Sequence, residues 1–248
     1  MIAETLASQI KSSAVRAVIK HSRCRSIWRE ERLTLPTAVS SVGCFGKKLW
    51  LNLQERVLVI SASSSTLISI ANPKSHAALE IVTDAATVWV SDVRRFVNVA
   101  LMYPHELRDS IGGARSALGE LRAADIMTVS RAYDGVIADV IRAGDVIAGA
   151  DQRLISEALF LARVSPWRRC ADVSSAEWLS VCSAITAISH TSAEAFKSEV
   201  LVSGLPAAKR FPPECAVYGK RVTSSGRAVK RDVTPHGCTV WWSPDEQL

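Results

Sequence analysis

The chain has 248 residues, of which 48% are hydrophobic and 22% charged, so it holds enough apolar material for a packed core and is not a largely disordered protein. Lysine and arginine outnumber aspartate and glutamate by 30 to 24, giving a net charge of +6 that fits a polyanionic partner without requiring one. No run approaches the roughly 18 uninterrupted apolar residues of a membrane span, so we expect no membrane partner. The N-terminus lacks the compact apolar stretch of a signal peptide, which predicts a cytoplasmic protein, nucleoid-associated in bacteria or nuclear in eukaryotes.

The cysteines argue against a metal centre. They form no C-x-x-C pair and lie near no histidine cluster, so the usual zinc spacings are absent. We therefore expect reduced thiols, no bound metal and no cofactor. The six cysteines are Cys24, Cys44, Cys170, Cys182, Cys215 and Cys238.

The first part of the chain predicts one helix followed by strands. Apolar residues recur every four positions from Ile2 through Ala14 to Val18, which predicts an opening amphipathic helix. From Lys48 onward the apolar residues recur every two positions, which predicts strands in an antiparallel sandwich or barrel. The predicted strand runs are Leu49–Leu53, Val57–Ile60, Thr66–Ile70, Leu79–Val82 and Thr87–Val90. The strand signal fades after Arg95, and the Gly112-Gly113 pair predicts a domain boundary near residue 110.

The second part predicts helices and then a hairpin, so the expected fold class is α+β. Ser174 and Glu177 have the spacing of a capping box at the start of the last helix. Between Lys209 and Arg231 the chain holds seven lysines and arginines against the single acid Glu214, which suits phosphate contacts or a solvated basic surface. The predicted helices are Leu118–Ser130, Ala132–Ala143, Gln152–Arg163 and a long run from Ser174, and the predicted strands are Cys215–Tyr218, Ala228–Asp232 and Thr239–Trp242.

Four stretches, in a fixed order along nearly the whole chain, carry a resemblance to a known family. They are Gly46-Lys47 with His76 before Leu79; Asp92-Val93-Arg94-Arg95-Phe96; Ile147–Phe160 with Pro166-Trp167-Arg168-Arg169 and the Ser174 cap; and Val217-Tyr218-Gly219 with Gly237–Pro244. Together they resemble the formamidopyrimidine-DNA glycosylase and endonuclease VIII family. The resemblance implies a β-sandwich domain (1–110), a helix-two-turn-helix DNA-binding domain (111–208) and a hairpin finger (209–248). It also implies a monomer that binds duplex DNA at damaged or abasic sites with one nucleotide turned out.

The residues that the family uses for catalysis are only partly present. By the resemblance, a proline directly after the initiator methionine attacks the sugar and the next glutamate acts as the acid, but here these positions read Ile2 and Ala3. Two candidates remain. Lys47 could form a Schiff base with an abasic aldehyde or simply contact a phosphate, and Glu4 could supply an acid or be an ordinary acid at a helix start.

We therefore expect a DNA-binding protein related to base-excision-repair glycosylases, with lost or altered chemistry. Three alternatives stay open. The first is an active glycosylase or abasic-site lyase that uses Lys47 or Glu4, and the second is a longer natural N-terminus that carries the missing proline and glutamate. The third is a protein-interaction module that has kept only the fold.

The same resemblance assigns candidate DNA contacts in the first two domains. Arg94 and Phe96 would fill the gap left by the extruded nucleotide, with the guanidinium facing the orphan base and the ring wedging the stack. Ser64 stands where a large third gap-filling side chain is expected and is too small for that role. Gln152 takes the place of an asparagine that clasps phosphates, but the preceding Asp151 carries a carboxylate that would repel them.

In the finger, the density of basic residues makes Lys220, Lys230 and Arg231 candidate DNA contacts. The positions of four zinc-binding cysteines are taken by Val222, Ser225, Ser243 and Glu246, so the finger resembles the zincless fingers of some family members. Cys238 replaces an arginine, and it is either a catalytic thiol or a structural cysteine.

Overall fold

The computed structural model describes residues 13–20, 33–63, 66–70, 72–73, 75–203 and 214–248. These residues form two compact units, which are described separately. The first contains the described residues up to Gly112 and from Glu199 to Ser203, and the second contains Gly113–Ser198 and the chain from residue 214 onward. The expected α+β class is confirmed. Glu4 and Ser64 lie outside the described residues.

The first unit is built from two antiparallel sheets that share one apolar core. The elements are β1 (Ala14–Lys20), β2 (Thr37–Ala38), β3 (Ser41–Phe45), β4 (Lys48–Asn52), β5 (Val57–Ser61), β6 (Thr66–Ser69), β7 (Ala77–Thr83), β8 (Thr87–Asp92), β9 (Asn98–Met102) and helix α1 (Pro104–Ile111). The five-stranded sheet has the order β2-β1-β7-β8-β6, and the four-stranded sheet has the order β3-β4-β5-β9. Leu51 and Ile60 from one sheet and Ile81 and Val90 from the other are buried in the same cluster.

Two of the predictions for this unit are wrong. Ala14–Lys20 is a strand paired with β7, although the spacing of apolar residues predicted that a helix extends to Val18. A period of four is also a multiple of two, so this spacing by itself does not distinguish a helix from a strand. A register shift between Val15 and Ala17 places both Val15 and Val18 against the core. The strand signal also does not end at Arg95, because β9 follows and pairs with β5.

The second unit, as far as the structure describes it, joins four helices to a C-terminal hairpin. Trp178, Ile155 and Ile141 from the helices share a buried cluster with Cys238 and Val240 from the hairpin. The elements are β10 (Arg115–Ser116), which pairs in parallel with β11 (Ile147–Ala148), the helices α2 (Ala123–Ser130), α3 (Ile137–Ala143), α4 (Gln152–Leu161) and α5 (Ser175–Ser203), and the antiparallel pair β12 (Lys230–Val233) and β13 (Thr239–Trp242). None of the described helices is long and apolar enough to cross a membrane.

The start of α5 confirms the predicted capping box. The Glu177 amide donates to Ser174 Oγ at 3.3 Å, and the Ser174 amide and hydroxyl each donate to Glu177 Oε2 at 2.8 Å. The hydrogen bond from the Ser174 amide, and to a smaller extent the one from the Ser174 hydroxyl, lowers the pKa of the Glu177 carboxyl. The prediction of a strand at Cys215–Tyr218 is wrong, because the backbone amides there bind a side chain of α4 instead of a neighbouring strand.

Candidate nucleic-acid interface

The strand register brings three connections together at one end of the first unit. Lys48 pairs with both Phe45 and Ser61, and Ser61 pairs with Asn98, so these residues form one row across the four-stranded sheet. The β3–β4 turn, the chain after β5 and the chain before β9 all leave the sheet at this row. Lys47 and the Arg94–Phe96 segment therefore lie at the same end of the sandwich.

Lys47 lies at the exposed tip of the β3–β4 hairpin. Gly46 begins the two-residue turn with a φ of 57°, a conformation that glycine adopts without strain. The Lys47 carbonyl accepts a hydrogen bond of 2.7 Å from the Ala62 amide, which fixes the turn against the end of β5. The backbone of Lys47 is thus anchored, while its side chain is exposed.

A buried carboxylate organises the segment that carries Arg94 and Phe96. Asp92, at the end of β8, is 1% exposed. Its Oδ1 accepts from the Arg94 amide at 3.0 Å, and its Oδ2 accepts from the amides of Phe96 at 3.0 Å and Val97 at 2.8 Å. Val97 is buried in the sandwich core, so the segment is fastened at both ends.

The side chains between these anchors face solvent. Phe96 is 57% exposed, and the Arg94 guanidinium carbon lies 4.8 Å from the centre of its ring. Arg95 has a φ of 59°, which costs a non-glycine residue roughly 1–2 kcal/mol. Strained, well-anchored backbone that holds an exposed aromatic ring is typical of functional loops rather than of core packing.

The N-terminus of α4 carries Gln152, the predicted phosphate contact. Asp151 is the N-cap of this helix, and its Oδ1 accepts from the Leu154 amide at 2.8 Å. Arg153 lies 4.0 Å from the other oxygen of Asp151. A carboxylate of the chain therefore already occupies the helix end at which a phosphate could bind, and only the half-buried Gln152 amide remains for a side-chain contact.

Glu157, one turn further along α4, fastens the finger to the helices. Its side chain is buried, and it accepts three backbone hydrogen bonds from the chain that enters the finger. The donors are the amides of Ala216 at 2.6 Å, Val217 at 2.9 Å and Tyr218 at 2.7 Å. These hydrogen bonds to a charged acceptor are stronger than those to a neutral one.

A second buried carboxylate holds the hairpin turn. Asp139 of α3 accepts a hydrogen bond from the Thr234 hydroxyl and another from the His236 amide at 3.2 Å. Beside it, the Trp241 amide donates to Ser156 Oγ of α4 at 3.0 Å. The finger is therefore positioned by polar side chains of both helices as well as by its apolar contacts.

The exposed face of the finger is basic. None of its cations pairs with an acidic side chain among the described residues, whereas Arg115, Arg122 and Arg169 elsewhere in the unit each contact a carboxylate. Arg231 lies directly opposite Trp241 in the hairpin, with its guanidinium carbon 5.3 Å from the ring centre. We call the following five exposed residues the finger cations: Lys220, Arg221, Arg227, Lys230 and Arg231.

The positions that correspond to zinc ligands do not fit a zinc ion. Zinc in structural sites takes cysteine thiolates and histidine nitrogens, and the side chain of Val222 offers no ligand atom. Ser225 Oγ instead donates to Glu246 Oε1 at 3.0 Å and lies 2.8 Å from the Thr223 hydroxyl. Within the described ranges no group of three or more histidine, cysteine, aspartate or glutamate side chains could hold a metal ion.

Cys238 is a core residue. It is 0% exposed, and burial raises the pKa of its thiol to about 11, so the thiolate needed for nucleophilic attack is scarce at neutral pH. This environment favours the structural role over a catalytic one.

Iodoacetamide at pH 8 is expected to modify Cys44, which is exposed, and to leave Cys238 intact until the protein is unfolded in urea. Peptide mapping by mass spectrometry before and after unfolding distinguishes the two. Modification of Cys238 in the native protein at the rate of Cys44 would contradict the buried, protonated thiol.

Sequence reasoning assigned no role to Asp92, Asp139 or Glu157. A signal was present at Glu157, because it lies among Leu154, Ile155, Ala158 and Leu159, all of which the helix buries. An acid at a buried position of an apolar helix needs hydrogen-bond donors nearby. Which donors they are depends on a segment about 60 residues away.

No protein-family model and no curated protein matches this sequence. Solved structures do match over 99% of the chain. The MutM (Fpg) protein from Thermus thermophilus matches with a TM-score of 0.77 and 20% identity over 96% of that chain. The chain has the formamidopyrimidine-DNA glycosylase fold.

Two further matches are complexes with DNA. The Lactococcus lactis Fpg (MutM) bound to FAPY-dG-containing DNA matches with a TM-score of 0.80 and 17% identity, over 99% of this chain and 97% of that one. The same enzyme bound non-covalently to DNA containing an AP site matches with a TM-score of 0.78 and 17% identity, over 99% and 96%. The expected resemblance in fold is thereby confirmed.

Proposed function

We propose that this protein binds duplex DNA at abasic or damaged sites, as a monomer, with glycosylase chemistry that is lost or altered. The observation that carries the proposal is the fixed segment at the end of the sandwich, in which Asp92 anchors the backbone while Arg94 and Phe96 face solvent. An aromatic ring can wedge into a base stack beside a missing base, and a guanidinium can bind the unpaired base opposite.

The finger cations support the DNA partner. A cation that already pairs with a carboxylate contributes little to phosphate binding, because it must give up that pair. Lys220, Lys230 and Arg231 make no such pair with a described residue. Each phosphate that they neutralise releases counterions and contributes affinity that depends on salt. Gln152 adds a neutral contact at the N-terminus of α4. We expect phosphate binding there to be weaker than at an uncapped helix, because the Asp151 carboxylate already caps this one.

Phe96→Ala is expected to reduce the preference for an abasic over an intact duplex by about tenfold, in line with the ~1–3 kcal/mol that one aromatic–base contact contributes. Arg94→Ala is expected to act in the same direction. Fluorescence anisotropy with both duplexes measures the ratio of dissociation constants. Leu179→Ala is the matched control, because Leu179 is an equally exposed apolar side chain on α5. A wild-type protein without affinity for either duplex at low salt would instead favour a protein-interaction module.

Lys47 supports a second candidate function, that of an abasic-site lyase. Its exposed side chain lies at the same end of the sandwich as the Arg94–Phe96 segment. There its amine could attack the C1′ aldehyde of an abasic sugar and, with loss of water, form an imine that permits elimination. The other role that we propose for Lys47 is a contact to a backbone phosphate, which needs only its charge.

Borohydride trapping on an abasic duplex separates the two roles. A lyase that uses this amine gives a covalent band that is lost in Lys47→Arg, because arginine keeps the charge but forms no imine. Lys48→Arg on the neighbouring residue is the matched control. Absence of a band from the wild-type protein, with the duplex still bound on a native gel, would exclude the lyase and leave the binding function.

We further propose that the finger folds without zinc and is closed by the Ser225–Glu246 hydrogen bond. Excess EDTA is then expected to leave the Tm unchanged, while Glu246→Gln weakens a hydrogen bond to a charged acceptor and lowers stability by about 1 kcal/mol. Differential scanning fluorimetry measures both effects. A Tm that falls with EDTA and recovers with zinc would contradict this proposal.

A further inference from the structure

The carboxylate of Asp92 accepts hydrogen bonds from two separate segments of the first unit. Besides the three backbone amides of its own segment, its Oδ2 accepts from the Ser63 hydroxyl at 2.9 Å and from the Thr66 hydroxyl at 3.3 Å. Ser63 and Thr66 also bind each other, since the Ser63 amide donates to Thr66 Oγ1 at 2.7 Å. One buried side chain thus holds two connections, the one after β5 and the one before β9.

The antiparallel pairing of the sheet does not need this carboxylate. Thr66 pairs with Asp92 through the backbone, which any residue at position 92 could provide. The side chain instead satisfies amides of a segment whose other side chains are exposed and which includes the left-handed Arg95. These hydrogen bonds hold the backbone that carries Arg94 and Phe96.

We propose that Asp92 is the positioning residue that sets the Arg94–Phe96 segment in its DNA-binding conformation before DNA is present, and that it couples this segment to Ser63 and Thr66. The inference rests on the proposed function of Arg94 and Phe96. If the Arg94–Phe96 segment is already ordered, it loses little conformational entropy when Phe96 enters the base stack. The affinity for an abasic duplex is therefore higher than it would be with a disordered segment. Displacement of either connection breaks hydrogen bonds to the same carboxylate and is therefore transmitted to the other.

Asp92→Asn tests the inference with almost no change in volume. An amide has one acceptor oxygen and one donor group, so at least one backbone amide of the segment faces an NH₂ group in either orientation. We expect about a tenfold loss in the preference for an abasic over an intact duplex, with the affinity for intact duplex and its salt dependence unchanged. The fluorescence change of 2-aminopurine placed opposite the abasic site should fall in parallel.

A mutant cycle distinguishes positioning from a general loss of stability. If Asp92 acts through Arg94 and Phe96, Asp92→Asn adds no further loss in a background that carries both Arg94→Ala and Phe96→Ala, whereas independent effects multiply. Asp84→Asn is the matched control, because Asp84 lies in the β7–β8 turn of the same sheet, where it binds Arg16 and the Ala14 amide at 3.1 Å. If Asp92→Asn does not fold, Ser63→Ala removes one of the hydroxyl donors to the carboxylate together with the Ser63–Thr66 hydroxyl contact, and it is expected to reduce the preference about two- to threefold.

The outcomes separate this inference from the function on which it rests. If the wild-type protein does not prefer the abasic duplex, both the proposed function and the role of Asp92 are wrong. A wild-type preference that Phe96→Ala abolishes and Asp92→Asn leaves within twofold overturns the role of Asp92 alone. A further loss when Asp92→Asn is added to the Arg94→Ala and Phe96→Ala background also overturns it, because Asp92 would then not act through these two side chains.

Discussion

Glu157→Ala is expected to lower the free energy of unfolding of the second unit by about 3–5 kcal/mol, because it removes a buried charged acceptor and leaves three backbone amides without a partner. Water cannot easily replace the carboxylate, since Val217 and the neighbouring Ile155 are both fully buried. The entry of the finger should detach from α4, while the hairpin turn remains held by Asp139.

Urea denaturation followed by far-UV circular dichroism measures this loss. Glu157→Gln should give an intermediate value, because its remaining oxygen can still accept from Val217 and Tyr218 while its NH₂ group faces the Ala216 amide. Glu120→Gln, which alters an exposed ion pair with Arg122, should leave stability nearly unchanged, because solvent screens the two charges. Equal effects of Glu157→Ala and Glu120→Gln would refute the role of Glu157.

The second large effect is expected in DNA affinity. Replacement of Lys220, Lys230 and Arg231 together with glutamine should reduce the slope of log K against log salt by about 2.7 if each contacts one phosphate. At ~0.1 M salt the same arithmetic gives a loss of affinity between about 100- and 1000-fold for intact and abasic duplexes alike. Because phosphate contacts carry no sequence information, the preference for the abasic duplex should be unaffected.

The matched control removes the same charge from arginines that are already paired. Replacement of Arg115, Arg122 and Arg169 with glutamine also lowers the net charge by three, but each of these side chains contacts a carboxylate in the protein. Titration over a range of salt concentrations should show a much smaller change in slope for this variant. Equal slopes for the two triple variants would mean that net charge, rather than the finger cations, determines DNA affinity.

Features whose cause is local could be predicted from the order of the residues alone. The alternation of apolar and polar residues from Lys48 onward predicted the strands of the sandwich, because every second side chain of a strand faces the same side of the sheet. The capping box at Ser174 and Glu177 was predicted to the residue, since its partners lie three positions apart. The order of motifs predicted the fold, which the comparison with solved structures confirms.

Features that depend on distant partners could not be predicted in this way, because they arise only when the folded chain brings those partners together. Ala14–Lys20 became a strand because β7 offers an unsatisfied edge, and an apolar spacing of four fits either element. Asp92 received hydroxyl donors from 26 and 29 residues away, and Glu157 received amides from about 60 residues away. A carboxylate in a sequence does not show whether it will be solvated or buried, because that depends on which donors the fold brings to it.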